Sequence, residues 1–264
     1  MKTRDDFAWQ VGALLLSLVI VHSIYVLVVR PRAELVLAQQ EVLRQEDPTH
    51  VDERSVWVIV KDFEQEACFV LFLWALAIMV LKGLGTRRER LLLDEDLVPL
   101  AEGTRILPDD AREHARHVEA LPPDKQERLL PRALLGALHR FTATGNIQDV
   151  STTAHQHCEV EADRLESELS MVRYIAWAIP SIGFLGTVRG IGVALGRAHE
   201  AVEGKIGGVT QSLGVAFNST FVALIISLVL MFLLHQLQLR QERLILDTET
   251  YLDRRLIRHL QVAS

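Results

Sequence analysis

The sequence predicts an all-α membrane protein with four transmembrane helices. Hydrophobic residues make up 49% of the 264-residue chain, and they lie in long runs instead of being spread evenly, which is typical of membrane spans rather than of one soluble core. Arginine and lysine clusters follow two of these runs, as expected at a cytoplasmic membrane surface. The net charge of −6 gives no basic signal for a nucleic-acid partner.

Four apolar runs predict the spanning helices, at residues 11–29, 67–84, 172–195 and 209–234. A helix needs about 20 apolar residues to cross the hydrocarbon core. The second run is short, and we expect the ammonium group of Lys82 to snorkel at its end. The first run is longer than the roughly 7–15 residues of a signal-peptide core and no small-x-small cleavage site follows it, so we expect it to be retained.

The basic residues near the run ends predict the orientation of the chain. Cytoplasmic flanks are enriched in lysine and arginine. The second and fourth runs are followed by such residues, namely Lys82, Arg87, Arg88, Arg90, Arg240 and Arg243. We therefore expect both termini, and the region between the second and third helices, to lie in the cytoplasm.

This orientation divides the chain into six parts. They are a first transmembrane helix (1–30), a periplasmic loop (31–66), a second transmembrane helix (67–84), a cytoplasmic helical region (85–170), the third and fourth transmembrane helices (171–236) and a cytoplasmic C-terminal helix (237–264). Five prolines between residues 99 and 131 predict short helices in the cytoplasmic region. Residues 149–179 and 236–262 contain neither glycine nor proline, so we expect the third and fourth helices to extend into the cytoplasm.

Small and hydroxyl-bearing residues form one face on each of the last two spans. On the third helix this face contains Gly183, Thr187, Gly190 and Ala194, and Gly186 forms a small-xxx-small pair with Gly190. On the fourth helix the face contains Ser212, Ala216, Thr220, Ala223 and Ser227, and Gly214 and Asn218 lie on an adjacent stripe. Helix packing alone and a lined polar path explain this pattern equally well.

The four runs contain no aspartate or glutamate. An ion route across a membrane usually needs an ionisable group, and a threonine hydroxyl does not hold a proton at neutral pH. If the protein conducts ions, the carboxylate must therefore come from another chain. Pro180 allows a kink that serves packing or gating. Arg189 points away from the threonine face, and we expect it either to pair with a neighbouring group or, as the slightly favoured alternative, to snorkel to the outer interface.

No motif in the sequence indicates catalysis or a bound cofactor. There is no glycine-rich phosphate loop, no nucleophile–base arrangement and no zinc-ligand spacing. Residues two apart on a helix do not share a face, so we expect His155, His157 and Cys158 to be surface residues rather than metal ligands. We therefore predict no enzyme activity, no catalytic residue and no metal.

The run PSIGFLGTVRG at residues 180–190 resembles the P-x-x-G-L-x-G-T-V-x-G signature of the MotA/TolQ/ExbB proton-channel family. The run SLGVAFNSTFVA at residues 212–223 resembles the following helix of that family. The resemblance covers roughly residues 150–262. The layout of four spans with a large loop after the second is more similar to MotA, whereas the Gly-Thr-Val motif is more similar to TolQ and ExbB.

The resemblance implies a homopentamer in the bacterial inner membrane, arranged around two single-span partners of the MotB/TolR/ExbD type. The partner helix supplies a membrane aspartate, and translocated protons or sodium ions drive mechanical work. By motif position, Thr187 and Thr220 correspond to the ion-path threonines of the family, and Pro180 corresponds to its proline. Asn218 adds polarity beside Thr220, and Arg189 departs from the apolar or aromatic residue often found there.

Two other functions are compatible with the residues. A non-conducting helical membrane scaffold would use the small-residue faces for assembly only. A small transporter would need a substrate cavity and usually paired repeats, and the sequence has no visible repeat. The identity of the transported ion stays open.

Overall fold

The computed structural model describes residues 2–46, 55–99, 105–202, 204 and 206–262 and is all-helical over these residues. No strand occurs in the described part of the chain, apart from an isolated bridge between Ile106 and Leu260. Four helical stretches are long and apolar enough to cross a membrane. The predicted all-α architecture with four long apolar helices is therefore confirmed. Residues 47–54, which belong to the predicted periplasmic loop, lie outside the described residues.

The helices have the following bounds in chain order: α1 Lys2–Ile24, α2 Arg30–Glu46, α3 Val56–Ile59, α4 Phe63–Leu93, α5 Ala111–Glu119, α6 Pro123–Gln126, α7 Leu129–Thr144, α8 Ile147–Glu168, α9 Ser170–Gly196, α10 Ala198–Val202 and α11 Gly207–Arg255. A π-helical turn at Tyr25–Val29 joins α1 to α2, and a 3-10 turn at Ile257–His259 follows α11.

The chain forms two compact units. The first contains residues Met1–Met79 and Met171–Leu234, and the second contains Val80–Ser170 and His235–Ser264. Helices α4 and α11 contribute residues to both units. The sequence-predicted ion-path residues all belong to the first unit.

Helical structure continues beyond the first predicted span, because Pro31 does not end it. Proline lacks the N–H that would bond to the carbonyl four residues earlier. Before Pro31 the chain forms the π-helical turn, in which the N–H of Arg30 donates to the carbonyl of Tyr25, five residues back. This wider turn takes the chain past the proline, so helical structure continues to Glu46 and occupies much of the predicted loop.

Helix α4 begins at Phe63, four residues before the predicted start at Ala67. The reason is a capping box, in which a side chain three residues into the helix accepts the N–H of the N-cap residue. Oε1 of Gln65 accepts the N–H of Asp62 at 2.8 Å, and Nε2 of Gln65 donates to the carbonyl of Ile59 at 2.9 Å. The helix therefore includes two glutamates that the apolar run omits, Glu64 and Glu66.

The second unit has a conventional apolar core. It is built mainly from the buried faces of α5, α7 and α8, including Leu134 and Phe141, and from the last turns of α11, including Leu252 and Leu256. Helix α7 ends at Gly145, whose φ of 61° is a conformation that favours glycine. The side chain of Asn146 then caps α8 by accepting the N–H of Gln148 at 2.9 Å.

The structure shows the environment of three polar residues of the second unit, namely Cys158, His155 and Lys82. Cys158 is fully buried in the core, so its prediction as a surface residue is wrong; it lies on the apolar side of α8 with Val150 and Ala154. His155 is exposed and contacts Oε1 of Glu249 at 2.9 Å. The ammonium group of Lys82 bonds to Glu168 at 2.8 Å. Among the described residues, no group of three or more histidine, cysteine or acidic side chains could hold a metal ion.

Replacing Gln65 tests the capping box. Gln65→Ala removes a fully buried side chain and leaves the Asp62 N–H and the Ile59 carbonyl without their partners. We expect a loss of about 1–3 kcal/mol in the free energy of unfolding, measured as a lower midpoint of thermal unfolding in detergent. Gln65→Met keeps most of the side-chain volume but loses both hydrogen bonds, so its midpoint should also fall. An unchanged midpoint in Gln65→Ala would contradict the structure.

Candidate functional site

The candidate site is the interface along which α9 packs against α11, called the seam below. On α9, three glycines lie in the seam: Gly183, Gly186 and Gly190. A Cβ added to Gly190 would lie 2.6 Å from the Cβ of Ala216, and one added to Gly186 would lie 2.5 Å from the Cβ of Ser219. A Cβ added to Gly183 would lie equally close to the Cβ of Ala223. Distances this short leave no room for a side chain, so the glycines allow the two backbones to approach.

Thr187 and Thr220 meet at the partly exposed side of this seam. Their Oγ1 atoms are 2.5 Å apart. The hydroxyl of Thr187 also donates to the carbonyl of Ala216 at 2.9 Å, and the hydroxyl of Thr220 donates to the carbonyl of Gly183 at 3.0 Å. Each threonine thus reaches the carbonyl that lies four residues before the other threonine.

The two hydroxyls have fewer protons than contacts. Each hydroxyl carries a single proton, whereas the pair makes four oxygen–oxygen contacts, including a longer one of 3.5 Å between Thr187 and its own helix at Gly183. The hydroxyl protons can therefore be distributed among these contacts in more than one way. Such an arrangement can pass a proton along or offer oxygens to a cation.

Asn218 and Gly214 do not join the threonine pair. Residues two apart on a helix point about 200° apart, and Asn218 accordingly lies on another side of α11 from Thr220. Asn218 and Gly214 line a cavity of about 750 Å³ that is also lined by Leu37 of α2 and Val58 of α3. A Cβ added to Gly214 would have no neighbour within 4 Å, so this glycine is not used for close packing inside the chain.

Pro180 lies inside α9, and the helix continues through it for another four turns. The proline is therefore not a helix end. Two hydroxyls bond to carbonyls in the turn before it, and one of them comes from α11.

A model of the MotA/TolQ/ExbB proton channel family matches residues 125–250. Residues 125–250 are therefore similar to this family. The match confirms the resemblance seen in the sequence, although it begins before residue 150 and ends before residue 262. No curated protein matches the chain. The family match and the four long apolar helices together indicate a multi-pass membrane protein.

The MotA/TolQ/ExbB segment includes the whole seam, but it does not include every charged residue at the site. Arg189 of α9 makes a two-pronged ion pair with Glu64 of α4, with Nε–Oε1 at 2.6 Å and Nη2–Oε2 at 2.8 Å. The Glu64 side chain is 15% exposed and that of Arg189 is 51% exposed. Arg189 therefore has a carboxylate partner, and that partner lies outside the residues that match the family.

The side chain of Glu64, from α4, lies next to Gly186 in the seam. A Cβ added to Gly186 would lie 3.2 Å from the Cγ of Glu64, and Gly186 directly precedes Thr187. An acid of this chain therefore lies beside the residue that precedes Thr187. The four apolar runs contain no acid, but the helix that carries the second run begins before it and includes Glu64. The capping-box pattern of Asp62 and Gln65 is the sequence signal that would have moved the start of α4.

Glu66 links the same end of α4 to the first helix. Its carboxylate accepts from Nδ1 of His22 at 2.7 Å and from Nη2 of Arg30 at 2.5 Å. The Arg30 guanidinium also lies 4.7 Å from the ring centre of Phe63, a favourable cation–π distance. Just before α4, burial raises the pKa of the Asp62 carboxyl. The acids at the start of α4 thus connect α1, α2 and α9.

Two glycines of α9 provide a matched test of the seam. Gly190→Ala would place a methyl group against the Ala216 backbone, whereas Gly192→Ala meets nothing within 4 Å. We expect Gly190→Ala to lower the free energy of unfolding by about 1–3 kcal/mol and Gly192→Ala to be neutral or to raise it by up to about 1 kcal/mol. Thermal unfolding in detergent measures both, and equal midpoints would contradict the packing.

The Arg189–Glu64 pair is tested by a double-mutant cycle. Arg189→Met leaves the poorly exposed Glu64 carboxylate without its partner and should cost about 1–3 kcal/mol, a value reduced because Arg189 is half-exposed. Glu64→Gln in the Arg189→Met background removes the stranded charge and should recover most of this loss. The midpoint of thermal unfolding is the measurement, and additive effects of the two changes would show that the pair is not coupled.

Proposed function

We propose that this protein is the membrane subunit of an ion-driven motor in the bacterial inner membrane. Five copies would surround two single-span partners of the MotB/TolR/ExbD type, and each partner helix would supply a membrane aspartate. Protons or sodium ions would pass between subunits, or between subunit and partner, and turn the ring about the partner. Both termini and the extensions of the third and fourth helices would lie in the cytoplasm. The proposed role involves neither enzyme activity nor a cofactor.

The contact between Thr187 and Thr220 supports this function most directly. The two hydroxyls are partly exposed, so a group from another chain can reach them. They lie in a seam that belongs to the family, and their protons have several alternative acceptors. A neighbouring carboxylate could therefore exchange a proton or an ion with this pair without a change in helix packing.

The apolar surface around the seam also supports assembly with other helices. Large side chains of α9 and α11 are exposed, including Phe184 at 63%, Leu185 at 62%, Phe217 at 65% and Phe221 at 58%. Exposed apolar area of this extent must face lipid or other helices. The partner and the further copies would cover part of it.

Glu64 does not replace the partner's acid in this proposal. Both of its carboxylate oxygens accept from the Arg189 guanidinium, and its approach to Gly186 is from the side of α4. A proton carrier must instead be able to reach the exposed side of the threonine pair. The aspartate of a partner helix satisfies that requirement, and its change of charge would bias the ring between packed states.

A non-conducting scaffold is the second candidate, and the seam gives it a specific basis. The glycine contacts and the hydrogen bonds of the two threonines across the seam would serve assembly equally well without any ion passing. The two functions differ in what the hydroxyl protons contribute, since valine has the shape of threonine and no hydroxyl.

Threonine-to-valine substitutions separate these functions. Thr187→Val and Thr220→Val should leave the assembled complex intact and lower ion flux by about tenfold or more, because one hydrogen bond of about 1.4 kcal/mol corresponds to a factor of ten in rate. The flux is measured with pH- and sodium-sensitive dyes in membrane vesicles from the native host, normalised to assembled complex.

Thr210→Val is the matched control, because among the described residues the Thr210 hydroxyl bonds to carbonyls of its own chain segment, at Ile206 and Gly207. Its flux should equal that of the unaltered protein. Normal flux in both seam variants would remove the threonines from the ion path and favour the scaffold.

A further inference from the structure

Pro180 creates a polar group that the helix itself does not satisfy. Proline has no N–H, so the carbonyl four residues earlier, that of Ala176, loses its usual intrahelical donor. Ala176 is 4% exposed, and its carbonyl accepts a hydrogen bond from the hydroxyl of Ser227 on α11 at 3.1 Å. Ser227 is itself buried, with 9% exposure. A hydroxyl from the neighbouring helix therefore occupies the place of the missing N–H.

The neighbouring carbonyl is satisfied in a different way. The carbonyl of Trp177 accepts from the hydroxyl of Ser181, on the same helix, at 3.1 Å. Apolar surroundings contain no water to bond to such carbonyls, and serine or threonine side chains are the usual substitutes beside a proline in a membrane helix. Of these two carbonyls, only that of Ala176 depends on α11.

The hydroxyls of α11 show that the bond from Ser227 is not the default. Most of them bond back to a carbonyl four residues earlier on their own chain, as Ser212 does to Gly208, Ser219 to Val215 and Thr248 to Leu244. This local bond is the common choice for serine and threonine inside helices. Thr220 and Ser227 instead donate to carbonyls of α9.

We propose that Ser227 is a positioning residue that completes the turn at Pro180 and thereby holds α11 in register with α9. Ser227 follows Thr220 by seven residues, or two helical turns of about 5.4 Å each. Gly183 and Ala223 pack closely between the two bonds. The stretch of the α9–α11 seam between Ala176 and Thr187 is therefore held at one end by the Ser227–Ala176 bond and at the other by the threonine pair, so sliding or rotation of α11 would break both.

This inference rests on the proposed function only for its effect on ion flux. The hydrogen bond itself requires that Ser227 and Pro180 be coupled in stability, whatever the seam does. If Ser227 supplies the donor that Pro180 lacks, a residue with an N–H at position 180 makes the hydroxyl unnecessary. Pro180→Ala restores that N–H.

A cycle of four proteins tests the coupling: the unaltered chain, Ser227→Ala, Pro180→Ala and the double variant, each as the complete complex. Ser227→Ala should lower the thermal midpoint by about 2–6 °C, as expected for one unsatisfied buried carbonyl. In the Pro180→Ala background the same change should lower it by less than about 1 °C. Equal losses in the two backgrounds would overturn the proposal.

Ser219→Ala is the matched control, since Ser219 is a buried serine of the same helix, with 1% exposure, that bonds to its own Val215 carbonyl. Its effect should be independent of the residue at position 180. Coupling of equal size for Ser219 and Ser227 would also overturn the proposal, because the coupling would then be a general property of α11.

Ion flux per assembled complex distinguishes positioning from stability alone. Ser227→Ala should lower this flux severalfold, and the double variant should match Pro180→Ala. A lower midpoint with unchanged flux would restrict Ser227 to a stabilising role and overturn its positioning role. Coupled midpoints together with normal flux in both threonine-to-valine variants would support the Ser227 hydrogen bond and reject the ion-path function. Failure of the Ser227 proposal and failure of the proposed function are therefore distinguishable.

Discussion

The seam between α9 and α11 depends on one constraint: polar groups in an apolar environment must find their partners within the protein. The side chains that meet this constraint here are few and small. Thr187 and Thr220 exchange bonds with each other's helices, and Ser227 donates to the carbonyl that Pro180 leaves open. Glycines bring the helices near enough for these short side chains to reach across. Close packing and polar satisfaction are therefore the same feature of this hairpin.

Because the same small side chains serve both packing and hydrogen bonding, composition alone does not distinguish a channel from a scaffold. A hydroxyl that forms a hydrogen bond between two helices can also transfer a proton. A channel and a scaffold both need a face of small residues. The difference lies in the excess of acceptors over protons at the threonine pair and in its partial exposure. Both features come from the three-dimensional register of two helices, and neither can be seen in the pattern of one helix.

The sequence predicted the parts of the fold that follow from periodicity. The glycine face of the third span and the serine and threonine face of the fourth were both recognised, and they do face each other in the structure. An error arose where hydropathy alone set a boundary. Glu64 was missed because an apolar run does not record the cap that starts a helix. Asn218, which the sequence places on a stripe adjacent to the Thr220 face, lines a cavity with Gly214, and its part in an ion path stays a prediction.

The ion pair between Arg189 and Glu64 joins a residue that lies within the family match to one that lies outside it. Arg189 lies in the segment shared with the family, whereas Glu64 lies in the first third of the chain, beyond the matched residues. The shared segment is consequently not a self-contained module. A relative with an apolar residue in place of Arg189 would have no use for an acid at the start of α4, so the two positions are expected to change together during divergence. Exchanging the shared segment between relatives that differ at position 189 would leave one of the two charges without its partner.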